Sequence, residues 1–136
     1  MICYVDSIES VTAENLCGFF VGWPNPPSPA THLEILRNSS LVVLAIDSET
    51  GDVVGFITAI SDGVLSAYIP LLEVLPGYQK QGIGVELTRR MLEKLKGLYM
   101  VDLLCDEELQ SFYAKLGMKR AQGMFLRNYE CQGGAK

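Results

Sequence analysis

The sequence predicts a single α/β domain, and three observations carry that expectation. Its 136 residues make one domain's worth of chain, enough to bury a core without disulfides or metals. Apolar runs of strand length occur at 41–46, 53–60, 64–75 and 99–105. Between the last two, Gly82 to Lys96 places Ile83, Leu87, Met91, Leu95 and Leu98 at helical spacing, with Glu86, Arg89, Arg90, Glu93 and Lys96 opposite.

The elements follow in order. Thr12 to Val21 reads as a short helix. Residues 22–29, GWPNPPSP, hold four of the six prolines and form a rigid, extended loop. Ala30 to Arg37 reads as a second helix, stopped by Asn38-Ser39-Ser40. Leu41 to Ile46 and Val53 to Ile60 form a hairpin across the turn-rich stretch 47–52. Ser61-Asp62-Gly63 marks another turn. Val64 to Leu75 is apolar on both faces, as a central strand is, with Glu73 its only charge. Pro70 cannot donate to a ladder and predicts a bulge or splayed edge there. Gly97 stops the amphipathic helix, Tyr99 to Cys105 is a strand, and Asp106 caps a helix running to Leu116 before Gly117. Leu109, Phe112, Tyr113 and Leu116 form that helix's inward stripe. Short strands near Met118 to Lys119 and Gly123 to Arg127 close the chain. No repeat or linker divides it, so residues 1–136 are read as one domain.

Composition excludes several classes. A hydrophobic share of 49% with 20% charged residues excludes disorder as the main state. No apolar run reaches the ~18–20 residues that span a bilayer, so no membrane partner is expected. The net charge of −5 disfavours nucleic acid. It suits a cationic substrate. Residues 77–96 nevertheless hold five bases (Lys80, Arg89, Arg90, Lys94, Lys96) against two acids (Glu86, Glu93). This local excess reads either as an anion site or as a solvated helix face. Four cysteines without a CxxC pair, and one histidine, give no zinc pattern, so no metal is expected. Cys17 and Cys105 read as inert core thiols. The first residues, MICYVDSIES, lack the pattern of a secretory leader, and with free thiols the expected compartment is the cytoplasm.

The stretch that carries chemistry runs from Leu72 to Gly84, LEVLPGYQKQGIG: a strand, a loop, then a helix start. Gly82 and Gly84 bare the backbone where N–H groups at a helix start lack partners, and Lys80 adds a cation. Phosphate or pyrophosphate binding follows. A Walker A loop is absent. A dinucleotide fingerprint fails at its third glycine, where Leu87 stands. What remains is Gln79-x-x-Gly82-x-Gly84, which by itself also fits a helix start with no ligand.

LEVLPGYQKQGIG resembles the acetyl-CoA-binding motif of the GNAT N-acetyltransferase superfamily. Asp106 to Met118, DEELQSFYAKLGM, resembles that superfamily's second motif. Asp106 stands where Asn is common. Shorter likenesses, Ser61-Asp62-Gly63 and Gly123-Met124-Phe125, link the chain to the plant serotonin acetyltransferase group and small bacterial relatives. The resemblance implies the three-layer acyl-CoA N-acyltransferase fold: a mixed, mostly antiparallel sheet with splayed central strands and helices on both faces. It implies acetyl-CoA as co-substrate, and as partner a small-molecule amine or a peptide amine. It also allows a homodimer.

Site roles follow from the same likeness. Backbone groups at Leu72, Val74 and Leu75 would pair with the pantetheine arm. N–H groups of Gln79, Lys80, Gln81, Gly82, Ile83 and Gly84 would hold the pyrophosphate. A backbone N–H near Val74 would polarise the thioester carbonyl. Tyr113 falls on the general-acid position and would also border the cofactor; the alternative is a core aromatic. Glu73 is a candidate base, raised in pKa if buried; the alternative is a strand-end charge. Trp23, His32, Asp62 and Tyr68 are candidates for shaping the acceptor pocket. The implied function is transfer of acetyl from acetyl-CoA to a primary amine by direct attack, without an acyl-enzyme. The rival reading is a non-catalytic acyl-CoA sensor, which needs Gln79 to Gly84 but neither Glu73 nor Tyr113.

Overall fold

Strands β1 (Ile2–Val5), β2 (Leu41–Asp47), β3 (Val53–Ser61), β4 (Ser66–Val74) and β5 (Met100–Asp102) lie side by side in chain order in one sheet. This is a computed structural model, and it describes residues 1–134. The first four strands pair antiparallel, and β5 joins β4 in parallel. Helix α1 (Pro29–Asn38) covers one face through Leu33 and Leu36, against Val42, Leu44 and Phe56. Helix α2 (Ile83–Lys94) covers the other through Ile83, Leu87 and Met91, against Val43, Ala45 and Ile57. The three predicted layers are therefore present. Each of Leu87 and Met91 is fully buried, worth roughly 1.5–3 kcal/mol by apolar burial. α2 approaches closely because β3 offers Gly55 beneath it: a Cβ there would lie 3.1 Å from Leu87 Cδ1 and 3.2 Å from Ile83 Cγ2.

Two local features position the site. The first is the bulge expected at Pro70. Thr58 faces Leu71 and Ile60 faces Tyr68, so Ile69 and Pro70 together oppose Ala59. One extra residue inverts the alternation of a strand. Ala67 and Ile69 pack toward α2, and after the bulge Leu72 and Val74 return to that same face. Leu71 goes to the α1 face, and Glu73 with it. The second is the splay. β5 pairs with β4 only from Ser66↔Met100 to Tyr68↔Asp102. From Ile69 to Val74 that edge of β4 has no strand partner, and the strand predicted over Tyr99 to Cys105 is confined to Met100–Asp102.

Three expectations need correction. Thr12 to Val21 is not a helix. Only one 3-10 turn forms, Ala13–Leu16, closed by Asn15 Oδ1, which accepts the N–H and the hydroxyl of Thr12. The chain then passes through left-handed conformations at Gly18, Phe20 and Gly22, which no helix accommodates. The helix expected from Asp106 to Leu116 is a 3-10 turn, Glu107–Leu109, followed by five residues of α3, Gln110–Ala114. The closing strands near 118–119 and 123–127 do not pair with the sheet. The opposite error occurs at the N-terminus. Ile-Cys-Tyr-Val is rich in β-formers and pairs along β2 from Ile2↔Asp47 to Val5↔Leu44.

Candidate active site

The loop between β4 and α2 is shaped to present donors. Gly82, the residue before α2, is left-handed at φ +83°, and Lys80 is left-handed at φ +64°. A Cβ on Gly82 would meet nothing within 4 Å, so its place is set by backbone conformation and not by crowding. Among the described residues, no N–H from Lys80 to Val85 finds a hydrogen-bond acceptor; the first helical bond is Glu86 N–H to Gly82 C=O at 3.0 Å. Donors in such a row, at the positive end of a helix dipole, suit an anion. Two tethers hold the loop. The Tyr78 hydroxyl donates to Asp47 Oδ2 at 2.7 Å, and the Gln79 amide donates to the Val74 carbonyl at 2.9 Å. The first bond holds the Asp47 carboxyl below its usual range and pushes the Tyr78 phenol up.

The basic excess of residues 77–96 divides in two. Arg89 and Arg90 both pair with Glu86, Lys96 pairs with Glu93, and Lys94 pairs with Asp6. These four are solvated and paired with three carboxylates, one of them, Asp6, outside the helix. Lys80 alone of the five makes no ion pair among the described residues, and it stands in the donor loop.

Two clefts flank β4. One, of about 340 Å³, lies in the splay and is bordered by Leu72, Leu103, Cys105, Tyr113, Phe125 and Arg127. Burial, and secondly the nearby Cys105, push the Tyr113 phenol up, so it keeps its proton throughout the neutral range. Its ring is held edge-on by Phe112 at 4.9 Å between centroids, and Phe112 Cζ would lie 3.7 Å from a Cβ on Gly84. α3 thus lies beside the donor loop. The other cleft, of about 470 Å³, is bordered by Phe20, Trp23, Leu71, Glu73 and Gln79. Pro70 and Leu72 border both clefts. The two clefts therefore lie side by side along β4 at the bulge, with Tyr113 bordering one and Glu73 the other.

The remaining predicted residues fall as follows. Glu73 accepts the N–H of Phe20 at 2.8 Å and that of Val21 at 3.3 Å. Among the described residues it pairs with no lysine. Trp23 borders the Glu73 cleft and packs on Phe20 at 4.9 Å. His32 is fully buried behind that wall, among Phe19, Phe20 and Phe56, and borders neither cleft. Asp62 closes the β3–β4 turn, where Oδ1 accepts the N–H groups of Val64, Leu65 and Ser66, which hold its carboxyl below the usual range. Tyr68 sits at the root of the splay, opposite Asp102, outside both clefts. The cysteines differ from the core reading: Cys17 is exposed and Cys105 is half-buried against Tyr113's cleft. Among the described residues no cluster of three metal-ligating side chains forms, and no helix is long and apolar enough to cross a membrane.

Sequence reasoning did not single out Phe20, Tyr78, Phe125 or Arg127 for the site. Phe20 and Tyr78 had signals available: each is a large aromatic beside glycine-rich, strained backbone. Phe125 and Arg127 had the i, i+2 spacing that puts two side chains on one face of an extended segment.

Comparison with known proteins agrees with this geometry. The family model described as Acetyltransferase (GNAT) family matches residues 8–118. The chain is 50% identical to an acetyltransferase structure from Deinococcus radiodurans, covering 99% of this chain and 94% of that one with a TM-score of 0.95. It is 32% identical to a GNAT family acetyltransferase from Streptococcus pneumoniae, covering 94% and 98% with a TM-score of 0.75. Among curated sequences it is 31% identical over 128 residues to the uncharacterized N-acetyltransferase ycf52 of Porphyra purpurea, covering 88% of this chain and 72% of that protein. With the motif, the splayed sheet and the family match in agreement, the chain belongs to the GNAT acetyltransferase family.

Proposed function

We propose that the protein transfers an acetyl group from acetyl-CoA to a primary amine by direct attack. The observation that carries this is the pair of clefts that share Pro70 and Leu72 in their walls, beside a row of N–H donors that are unpaired among the described residues. The pyrophosphate would be held by backbone N–H groups from Lys80 to Gly84 and by the Lys80 side chain; the Gln79 N–H, expected to join them, is directed at the Pro76 carbonyl at 3.4 Å. The pantetheine would run along the unpaired edge of β4 at Leu72 and Val74, as an added strand does; Leu75, expected to join them, instead donates its N–H to the Val54 carbonyl at 2.8 Å and accepts the Tyr78 N–H on its own carbonyl at 2.9 Å. The thioester would then reach the bulge through the Tyr113 cleft, and the amine would come from the Glu73 cleft.

In this scheme the neutral amine attacks the thioester carbon, a C–N bond forms, and the carbonyl oxygen gathers negative charge near a β4 N–H. The C–S bond then breaks. The proton shed by the amine goes to Glu73, directly or through water, and Tyr113 protonates the departing thiolate. No cysteine takes the acyl group. The acidic surface and the Glu73 carboxylate favour a cationic acceptor, whether a small amine or a peptide amine. The four free thiols fit a reducing compartment such as the cytoplasm.

The test is release of CoA thiol from acetyl-CoA over a panel of monoamines, polyamines and amine-bearing peptides. Turnover with any of them supports transfer. Tight CoA binding without thiol release from any amine replaces transfer with the sensor reading.

A further inference from the structure

Asp47, at the end of β2, is the only buried carboxylate among the described residues, and it makes no ion pair there. A charge is costly to bury unless hydrogen bonds replace its water. Two do so on the side chain. Oδ1 accepts the Glu49 N–H at 3.0 Å, and Oδ2 accepts the Tyr78 hydroxyl at 2.7 Å. The backbone of Asp47 is fixed as well. Its N–H donates to the Asp52 carbonyl, and its own carbonyl accepts the N–H groups of Thr50 and Gly51. Alternation along β2 puts the side chain on the α2 face, with Val43 and Ala45, where the Tyr78 ring also packs. The end of β2 is thus a rigid post to which the phenol is bound.

The donor loop needs such a post. Lys80 is left-handed at φ +64°, a costly conformation for a residue with a side chain, which persists only where its surroundings impose it. The loop's own hydrogen bonding does not impose it, because the N–H groups from Lys80 to Val85 find no acceptor among the described residues. On one side the loop is fixed by Ile83, buried at the start of α2. On the other it is fixed by the bond from Tyr78 to Asp47 and by that from the Gln79 amide to the Val74 carbonyl. Lys80 and Gly82, the two left-handed residues, lie between these fixed points.

We propose that Asp47 is a positioning residue for the cofactor: through the Tyr78 hydroxyl it holds the donor loop in its anion-binding shape before the pyrophosphate arrives. This inference rests on the acetyl-CoA reading of the loop. Neither Asp47 nor Tyr78 borders the two clefts, so neither touches the reacting atoms. What they spare is the cost of ordering the loop on binding. The effect therefore falls on cofactor affinity and not on acyl transfer.

Calorimetric titration of the intact protein with acetyl-CoA tests this, with thiol-release kinetics beside it. No binding by the wild type overturns both the acetyl-CoA reading and this inference. Once the wild type binds, Tyr78→Phe, which removes one oxygen and keeps the ring, should raise the acetyl-CoA Kd roughly tenfold. KM for acetyl-CoA should rise with it, while kcat at saturating cofactor stays within about twofold. Tyr4→Phe removes another phenol hydroxyl from a ring packed on the same face and should leave the Kd unchanged. Asp47→Asn keeps an acceptor for the phenol and should retain more affinity than Asp47→Ala. Adding Tyr78→Phe to Asp47→Ala should cost little more, because both act through one bond. An unchanged Kd in Tyr78→Phe, an equal loss in Tyr4→Phe, or a fall in kcat with KM unmoved overturns the inference and leaves the acetyl-CoA reading standing. Should Asp47→Ala misfold, the comparison of Tyr78→Phe with Tyr4→Phe decides.

Discussion

The Glu73 carboxylate on β4 fixes the backbone of Phe20, 53 residues earlier, through a 2.8 Å bond from the Phe20 N–H to Oε1. Phe20 sits at φ +62°, a conformation that costs a non-glycine residue about 1–3 kcal/mol and persists only where its surroundings impose it. The Val21 N–H adds a second bond, to Oε2 at 3.3 Å. Each bond uses one acceptor direction per oxygen, and an ionised carboxylate has about four. One group can therefore anchor the wall of the acceptor cleft and still receive a proton from an amine inside it.

Glu73→Gln should separate those two roles. Glutamine keeps one acceptor oxygen but turns an N–H₂ donor toward a second backbone donor, and it cannot take a proton. Turnover at neutral pH should fall about a hundredfold, within the usual span for a general base. Acetyl-CoA affinity by calorimetry should hold, because the donor loop is untouched. A retained pH–rate profile with only a raised KM for the amine would assign Glu73 to anchoring alone.

Loss of the donor loop should abolish cofactor binding. In Gly82→Glu the carboxylate would enter the space where the pyrophosphate is to lie, and a side chain at φ +83° is strained besides. Gly84→Glu would force the same charge against Phe112. Lys80→Ala, which leaves the backbone donors in place, should weaken acetyl-CoA binding only several-fold and reduce its salt dependence. Calorimetric titration with acetyl-CoA checks all three, and unchanged affinity in a folded Gly82→Glu protein would move the site elsewhere.

Tyr113→Phe should cost on the order of ten- to a hundredfold in turnover at neutral pH, at or below the low end for general-acid catalysis. The leaving thiol has a pKa of about 8.5, so it needs less help than an amine or alkoxide. The raised phenol pKa keeps Tyr113 protonated at every pH where the assay is run. The deficit should therefore narrow as pH climbs toward the thiol's own pKa. Equal rates at neutral pH, with chemistry rate-limiting, would leave Tyr113 a packing residue.

Much of this arrangement was legible from local pattern. α2 announced itself by spacing, β2 and β3 by apolar runs around a turn, and the bulge by Pro70; Gly97 does not stop α2, which ends at Lys94 with Leu95 as its cap. What escaped depended on contacts distant in sequence. Phe19 and Phe20 look helical beside Leu16, and only the Glu73 carboxylate and left-handed Gly18 explain why the chain turns there. Whether the bases near α2 made an anion site or a solvated helix face stayed open until their partners, among them Asp6, were located. His32 follows a proline loop and reads as a candidate for the acceptor pocket, yet three aromatic rings close over it. Gly123 to Arg127 has the alternation of a strand but no partner strand within the chain.

His32 should give the protein an acid-side weakness. The imidazole is 1% exposed, and among the described residues neither Nδ1 nor Nε2 has a hydrogen-bond partner. Its ring centroid lies 4.4 Å from that of Phe56 and 5.0 Å from that of Phe20. Burial in that apolar setting disfavours the cation and pushes the pKa down to about 4 from 6.5. Above pH ~6.5 the ring is neutral folded or unfolded, and the native state keeps its full stability. As pH falls from there toward 4, only the unfolded chain takes the proton, so stability drops by about 1.4 kcal/mol per unit, roughly 3 kcal/mol in all. Below pH 4 both states are protonated at this site and its contribution levels off. Asp47 and Asp62, whose carboxyls are held low, lose their stabilising contributions at still lower pH. His32→Leu keeps the packing, removes two unpartnered nitrogens, and should abolish the loss between pH 6.5 and 4. Urea midpoints for both proteins across that range make the comparison. Parallel curves would mean that His32 ionises freely in the folded state, and that the aromatic cluster behind the acceptor cleft opens to water.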